Sequence, residues 1–211
     1  MYTQNNEEEL VRAYFSDKDT KQMFLLDIGA NDGETFSNSR QLILDGWNAV
    51  LVEPSPKAFT KLKKLYPRNA KVKLKQFAIA ESTGEVAFHE SGSWNEDESD
   101  IALLSSIKKS ELQRWGDRVS FTETKVQAYS FQDFLNKENL SEVKFQFISI
   151  DAEGVDWEIL SQIDLTKLGC ECLCVEWNGI PDLYTKMKDY CEKNHNMREH
   201  SKNPENLIFI R

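Results

Sequence analysis

The stretch Asp27-Ile28-Gly29-Ala30-Asn31-Asp32-Gly33 closes a compact apolar run, residues 23–28, and leads into helical spacing. A short apolar run ending at such a turn predicts a strand buried on both faces. Glycine at 29 and 33 lets the main chain turn tightly and lets a ligand lie against bare backbone. The unit then repeats. Residues 33–45 are spaced as a helix, with Phe36, Leu42 and Ile43 as core candidates and Gly46 as the stop. A second apolar run covers 49–52, a helix follows over 56–66 up to Pro67, and a third strand is expected over 72–80. Strands alternating with helices predict βαβ units, a mainly parallel sheet and a Rossmann-like α/β fold, with the loops after the strands gathered on one edge.

The rhythm breaks over residues 84–128, which read as an insertion. Strands are expected near 84–90 and 119–128, as a hairpin carrying a flap. Ser130 and Asp133 then open a helix through about Lys137, and a fourth apolar strand over 145–150 ends at Asp151-Ala152-Glu153-Gly154. Helix 155–163, strand 170–176, helix 181–194 and an antiparallel pair over 197–201 and 207–210 complete the chain. Residues 7–16 form an amphipathic helix within an N-terminal extension, 1–20. The whole chain, 1–211, is expected to be a single domain.

A net charge of −9 argues against nucleic acid or an anionic membrane as partner. The N-terminus has neither a basic nor an apolar leader segment, and no apolar stretch approaches the roughly 20 residues of a membrane span, so a cytoplasmic protein without membrane insertion is expected. Cys170, Cys172 and Cys174 alternate along a strand and are expected on one face. Without a histidine or a C-x-x-C pair beside them, packing as reduced thiols fits better than zinc.

Charge at the turn bears on the ligand. Glu53 follows Gly33 by 20 residues at the end of the second strand, where a dinucleotide-type site places the acid that grips ribose hydroxyls. A nicotinamide dinucleotide would bring its pyrophosphate to this turn. Yet Asn31 and Glu34 stand at the second and third glycine positions, and Asp27, Asp32 and Glu34 make the turn acidic. S-adenosylmethionine, with a sulfonium and an ammonium group, suits such a turn better. Alternatives are a nicotinamide-dependent oxidoreductase and a catalytically silent ligand-binding module. Bound dinucleotide would mark the first, and donor binding without turnover the second.

DIGANDGETF, LVEPSP, QFAIAESTGEVAFHE, FISIDAEGVDWEIL and the closing ENLIFI resemble the FkbM-type methyltransferases, class I S-adenosylmethionine-dependent enzymes. The resemblance implies that Asp27, Gly29, Asn31 and Gly33 line the methionine and ribose portion of the donor. It implies that Glu53 binds the ribose hydroxyls and that Pro54, Ser55, Ala78 and Ile79 flank the adenine. Asp151 and Glu153 would face the substrate. It further implies transfer to a hydroxyl of a saccharide or secondary metabolite, a small-molecule or glycan acceptor. Ser149 departs from the pattern, since family members often carry lysine there.

Methyl transfer to an alcohol is an in-line displacement that also releases a proton, so a strand-end carboxylate such as Asp151 or Glu153 is a candidate base. Asp151, Glu176 and Asn178 form an oxygen-rich set that could hold magnesium. His89 is a further candidate base, Trp94, Trp115 and Trp177 are candidates for stacking on a sugar, and the acidic segment 96–100 could close over substrate.

Overall fold

A computed structural model describes residues 1–92 and 102–211. Its main sheet has seven strands: β1 Phe24–Ile28, β2 Asn48–Val52, β3 Val72–Lys75, β7 Phe147–Ile150, β8 Cys172–Glu176, β9 Arg198–Lys202 and β10 Asn206–Ile210. Their order is β3-β2-β1-β7-β8-β10-β9; β1, β2, β3, β7 and β8 are parallel, and β10 runs antiparallel to both its neighbours. Period-two alternation sorts the two faces. Leu26, Ile28, Ile148, Ile150, Leu173 and Val175 pack on α5 (Phe131–Lys137), α6 (Asp156–Leu160) and α7 (Pro181–Asp189). Leu25, Leu51, Phe147, Ile208 and Ile210 face α1 (Glu7–Phe15), α2 (Arg40–Leu44) and α3 (Pro56–Leu65). The central strands are therefore largely apolar, as a sheet covered on both sides requires, with Asp27, Ser149 and Glu176 as polar residues toward their carboxyl ends.

Several details go beyond or differ from the sequence expectation. The first helix is only α2, because residues 31–39 form an irregular loop, and Phe36 is 49% exposed instead of sitting in the core. The expected third strand is two strands in two sheets. After Lys75 the chain leaves the main sheet, Phe77 turns into the core against Tyr129, and β4 (Ala78–Ile79) joins a second sheet. The insertion hairpin, β5 (Gly84–Ser91) with β6 (Phe121–Tyr129), supplies the rest of that sheet in the order β4-β6-β5, and α4 (Lys109–Trp115) lies within it. Cys172 and Cys174 share one face, whereas Cys170, before the strand begins, packs on the other; all four cysteines are buried and free. Trp94 and the segment 96–100 lie outside the described residues. Among the described residues, no helix is long and apolar enough to cross a membrane.

Candidate active site

The strand order reverses between β1 and β7, and at their carboxyl ends a cavity of about 520 Å³ opens. An open α/β sheet places its ligand at such a switch point. Gly29 is what lets the two strand ends close up. A Cβ there would lie 1.6 Å from the Asp151 carbonyl oxygen, at a φ of +89°. Its N–H and that of Ala30 donate to the Val52 carbonyl, and Asn31 N–H donates to Glu53 Oε2 at 2.8 Å. Glu53 Oε1 accepts from Ser55 N–H at 2.6 Å, so this carboxylate ties the glycine turn to the loop after β2.

The cavity is lined by Asp27, Gly29, Asn31, Glu53, Pro54, Ala78, Ile79, Asp151 and Glu153, all expected from the sequence. Gly33 and Ser55 are outside the lining. Gly33, at φ +81°, brings the turn against Leu62 of α3, and Ser55 caps that helix, accepting from Ala58 N–H and donating to Glu90. The acids that give the cavity its sign also differ from expectation. Asp32 turns back to its own loop, accepting from Glu34 and Thr35, and neither Asp32 nor Glu34 lines the cavity. Asp27, Glu53, Asp151, Glu153, Glu176 and Glu205 do, with Arg114 as the one cationic side chain among the described lining residues.

The crowding and partial burial of these acids shift their protonation. Burial pushes Asp27 up to about 6, against the hydrogen bond from Ser39. It takes Glu53 to about 7, although the N–H groups of Ser55 and Asn31 oppose the rise. Asp151 rises to about 8 through burial and then through Asp156 and Asp27. Glu153 and Glu176 are both well above the ordinary carboxylate range, burial first and Asp151 second, with Arg114 opposing the shift at Glu153. Asp151, Glu153 and Glu176 each present an oxygen within 4.8 Å of the others, and Glu176 Oε2 has no hydrogen-bond partner among the described residues. Such a set can share protons, take a base's part, or hold a hard cation through oxygen ligands.

The loop carrying Glu153 is shaped by its surroundings. Asp156 accepts from Ala152 and Gly154 N–H at 2.7 and 3.0 Å, which fixes Glu153 and Gly154 at φ +50° and +95°. Across the cavity, Ser106 of the insertion donates to the Glu153 carbonyl at 2.6 Å, and Lys108 bonds the Gly154 carbonyl and Glu158 at 2.8 Å. The insertion thus supplies a wall, residues 102–107 with Arg114 and Trp115, that local sequence could mark only as a long departure from the α/β rhythm. Gln4, Thr35, Phe36, Ser37, Asn38 and Glu205 also line the cavity and carried no such signal. Ser149, the departure from the family pattern, accepts from Asn38 Nδ2 at 3.3 Å and lines it too.

The remaining candidates point elsewhere. His89 is buried in β5 with Nδ1 3.8 Å from Glu123, and it does not line the cavity. Trp177 packs on Tyr184 and donates to the Asn203 carbonyl, so of the three tryptophans Trp115 is the one described in the wall.

The methyltransferase FkbM domain family matches residues 27–199. Among solved structures, the chain is similar to the methyltransferase FkbM of Methylobacillus flagellatus KT, with a TM-score of 0.58, 11% identity, and coverage of 92% of this chain but 44% of that one. It is also similar to a human methyltransferase 10 domain containing protein, with a TM-score of 0.52, 13% identity and coverage of 96% and 80%. A third is the putative methyltransferase yhhF from Escherichia coli, with a TM-score of 0.50, 12% identity and coverage of 98% and 86%. At these identities the likeness is one of fold, and the chain spans under half of the Methylobacillus protein. No curated protein matches the sequence.

Proposed function

Because this chain belongs to the FkbM methyltransferase domain family, we propose that it transfers the methyl group of S-adenosylmethionine to a hydroxyl oxygen of a saccharide or other small molecule. The observation that carries this is the make-up of the cavity, where a bare glycine turn and a ribose-type acid line the same space as three clustered carboxylates. A cation fits it. Six acidic side chains and one arginine line the described wall, and a sulfonium favours their ionised forms, whereas a diphosphate would oppose them.

In this scheme Gly29 and Asn31 hold the amino-acid arm, Glu53 takes the ribose hydroxyls, and Ala78 and Ile79 pack on the adenine. The bound donor supplies an electrophilic methyl carbon and leaves as a neutral thioether, keeping the electrons of the broken C–S bond. Asp151 or Glu153 aligns the acceptor hydroxyl and takes its proton as the new C–O bond forms. A carboxylate lifted to about 8 is well matched to this, since a base works best when its pKa lies near the working pH. Magnesium is a finer part of the proposal. With magnesium bound, Asp151, Glu153 and Glu176 would be its ionised ligands beside Asn178, and the metal's polarisation of the hydroxyl would replace a base of raised pKa; the unpartnered Glu176 oxygen supports this reading.

Calorimetric titration with S-adenosylmethionine, S-adenosylhomocysteine and NAD tests the donor. The expected result is micromolar binding of the adenosyl compounds alone, weakened at least about tenfold in Glu53→Ala. Binding of NAD in their place would return the chain to the oxidoreductases. Turnover against a panel of hydroxylated acceptors, with Asp151→Asn and Glu153→Gln, tests the base. A loss of roughly 10²–10⁴ in at least one variant is expected, and unchanged turnover in both would remove their role. Full activity in excess chelator would remove the metal.

A further inference from the structure

Phe36 stands out because the fold does not account for its position. Its φ of +54° is one that a bulky side chain seldom adopts, and it is 49% exposed. It belongs to none of the apolar clusters of the described residues. Yet the loop is pinned on both sides of it. Asp32 accepts from Thr35 N–H and Oγ at 2.8 and 2.9 Å; Ser37 Oγ accepts from Arg40 N–H at 3.1 Å. Ser39 Oγ donates to Asp27 Oδ2 at 2.6 Å, and Asn38 reaches Ser149. These bonds hold the strained backbone in place, and the residue they fix lines the cavity.

Strain without burial calls for a function in the complex. We propose that Phe36 is a donor-contacting residue whose ring covers the sulfur end of the bound methyl donor. This rests on the methyl-donor assignment above. The donor, and not the acceptor, is its partner because the pinned loop runs on from the glycine turn and Ser39 ties it to Asp27; its bond to β7, Asn38 to Ser149, lies before the strand end that carries Asp151 and Glu153. An aromatic face is an apt cover for a sulfonium, since the π cloud attracts the positive charge while the ring excludes water.

The test compares Phe36→Gly, Phe36→Ala and Phe36→Leu for thermal midpoint and for calorimetric affinity toward S-adenosylmethionine and S-adenosylhomocysteine. Glycine relieves the strain, so the Phe36→Gly midpoint should stay level or rise by about 2–4 °C. Its affinity for S-adenosylmethionine should fall by about fivefold or more, and that for the product, which lacks the sulfonium charge, by less. Leucine keeps bulk without the π face and should fall between. Affinities within about twofold of wild type in all three variants, or a midpoint lowered in Phe36→Gly, would overturn the proposal, the latter by making the ring a packing residue. Wild-type protein that binds neither adenosyl compound would instead defeat the methyl-donor assignment, before any variant is made.

Discussion

Gly29 and Gly33 look alike in the sequence and do different things. A methyl at 29 meets backbone, the Asp151 carbonyl oxygen at 1.6 Å, whereas one at 33 meets the Leu62 side chain at 2.5 Å. Backbone cannot step aside and a leucine terminus can. Gly29→Ala is therefore expected to destabilise by about 3 kcal/mol or more and Gly33→Ala by about half that, read from urea unfolding midpoints. Equal effects would show that the two strand ends can separate freely. Glu53, Asp151 and Glu153 were legible as site residues because each follows the end of an apolar strand within three residues, and strand ends gather at one edge. Ser106, Arg114 and Phe36 were not, since nothing in their neighbours' spacing tells a residue of the insertion or of an irregular loop what it faces.

Two elements do more than their amphipathic patterns suggest. Glu7 sits in α1 where a solvated acid is expected, yet it is fully buried. It accepts from Asn5 N–H and Nδ2, from Asn203 Nδ2 and from Asn206 Nδ2. Burial alone would raise its pKa, but these bonds together hold it below the usual value. Asn206 lies opposite Glu176 in the sheet, so the N-terminal segment is fastened beside the cavity, with Gln4 and Glu205 in the wall. Glu7→Ala leaves the Asn203 and Asn206 amides without this acceptor, Asn5 keeping Glu205, and should cost about 2–4 kcal/mol of stability; a change within about 0.5 kcal/mol, the size of an ordinary surface substitution, would refute that. The insertion is the second element. Ser106→Ala removes the bond to the Glu153 carbonyl. It should lower turnover by about tenfold while leaving S-adenosylhomocysteine affinity unchanged.

For the molecule as a whole, the carboxyl cluster links stability and ligand binding to pH. Asp27, Glu53 and Asp151 stand at about 6, 7 and 8 in the folded chain, against about 4 for unfolded carboxylates. The native state thus binds more protons than the unfolded one across this window, and stability falls as pH rises through it. The thermal midpoint of the ligand-free protein should drop between pH 5 and 9, and Asp151→Asn should flatten the profile. A midpoint that climbs over that range would contradict the protonation of the cluster. A cationic donor prefers the ionised form, so its affinity should strengthen as pH rises from about 6 to 8 and then level off.

The order of strands and helices was already written in the sequence, because period and apolar run length follow from local geometry. The switch-point acids followed too, since a parallel sheet has only one edge at which its strands end. Tertiary structure decided where Lys75 leaves the sheet, which acids face the cavity and which close their own loops, and what the insertion covers. Those outcomes depend on contacts between residues far apart in the chain, such as Ser106 with Glu153 or Glu7 with Asn206. No local pattern encodes such pairs.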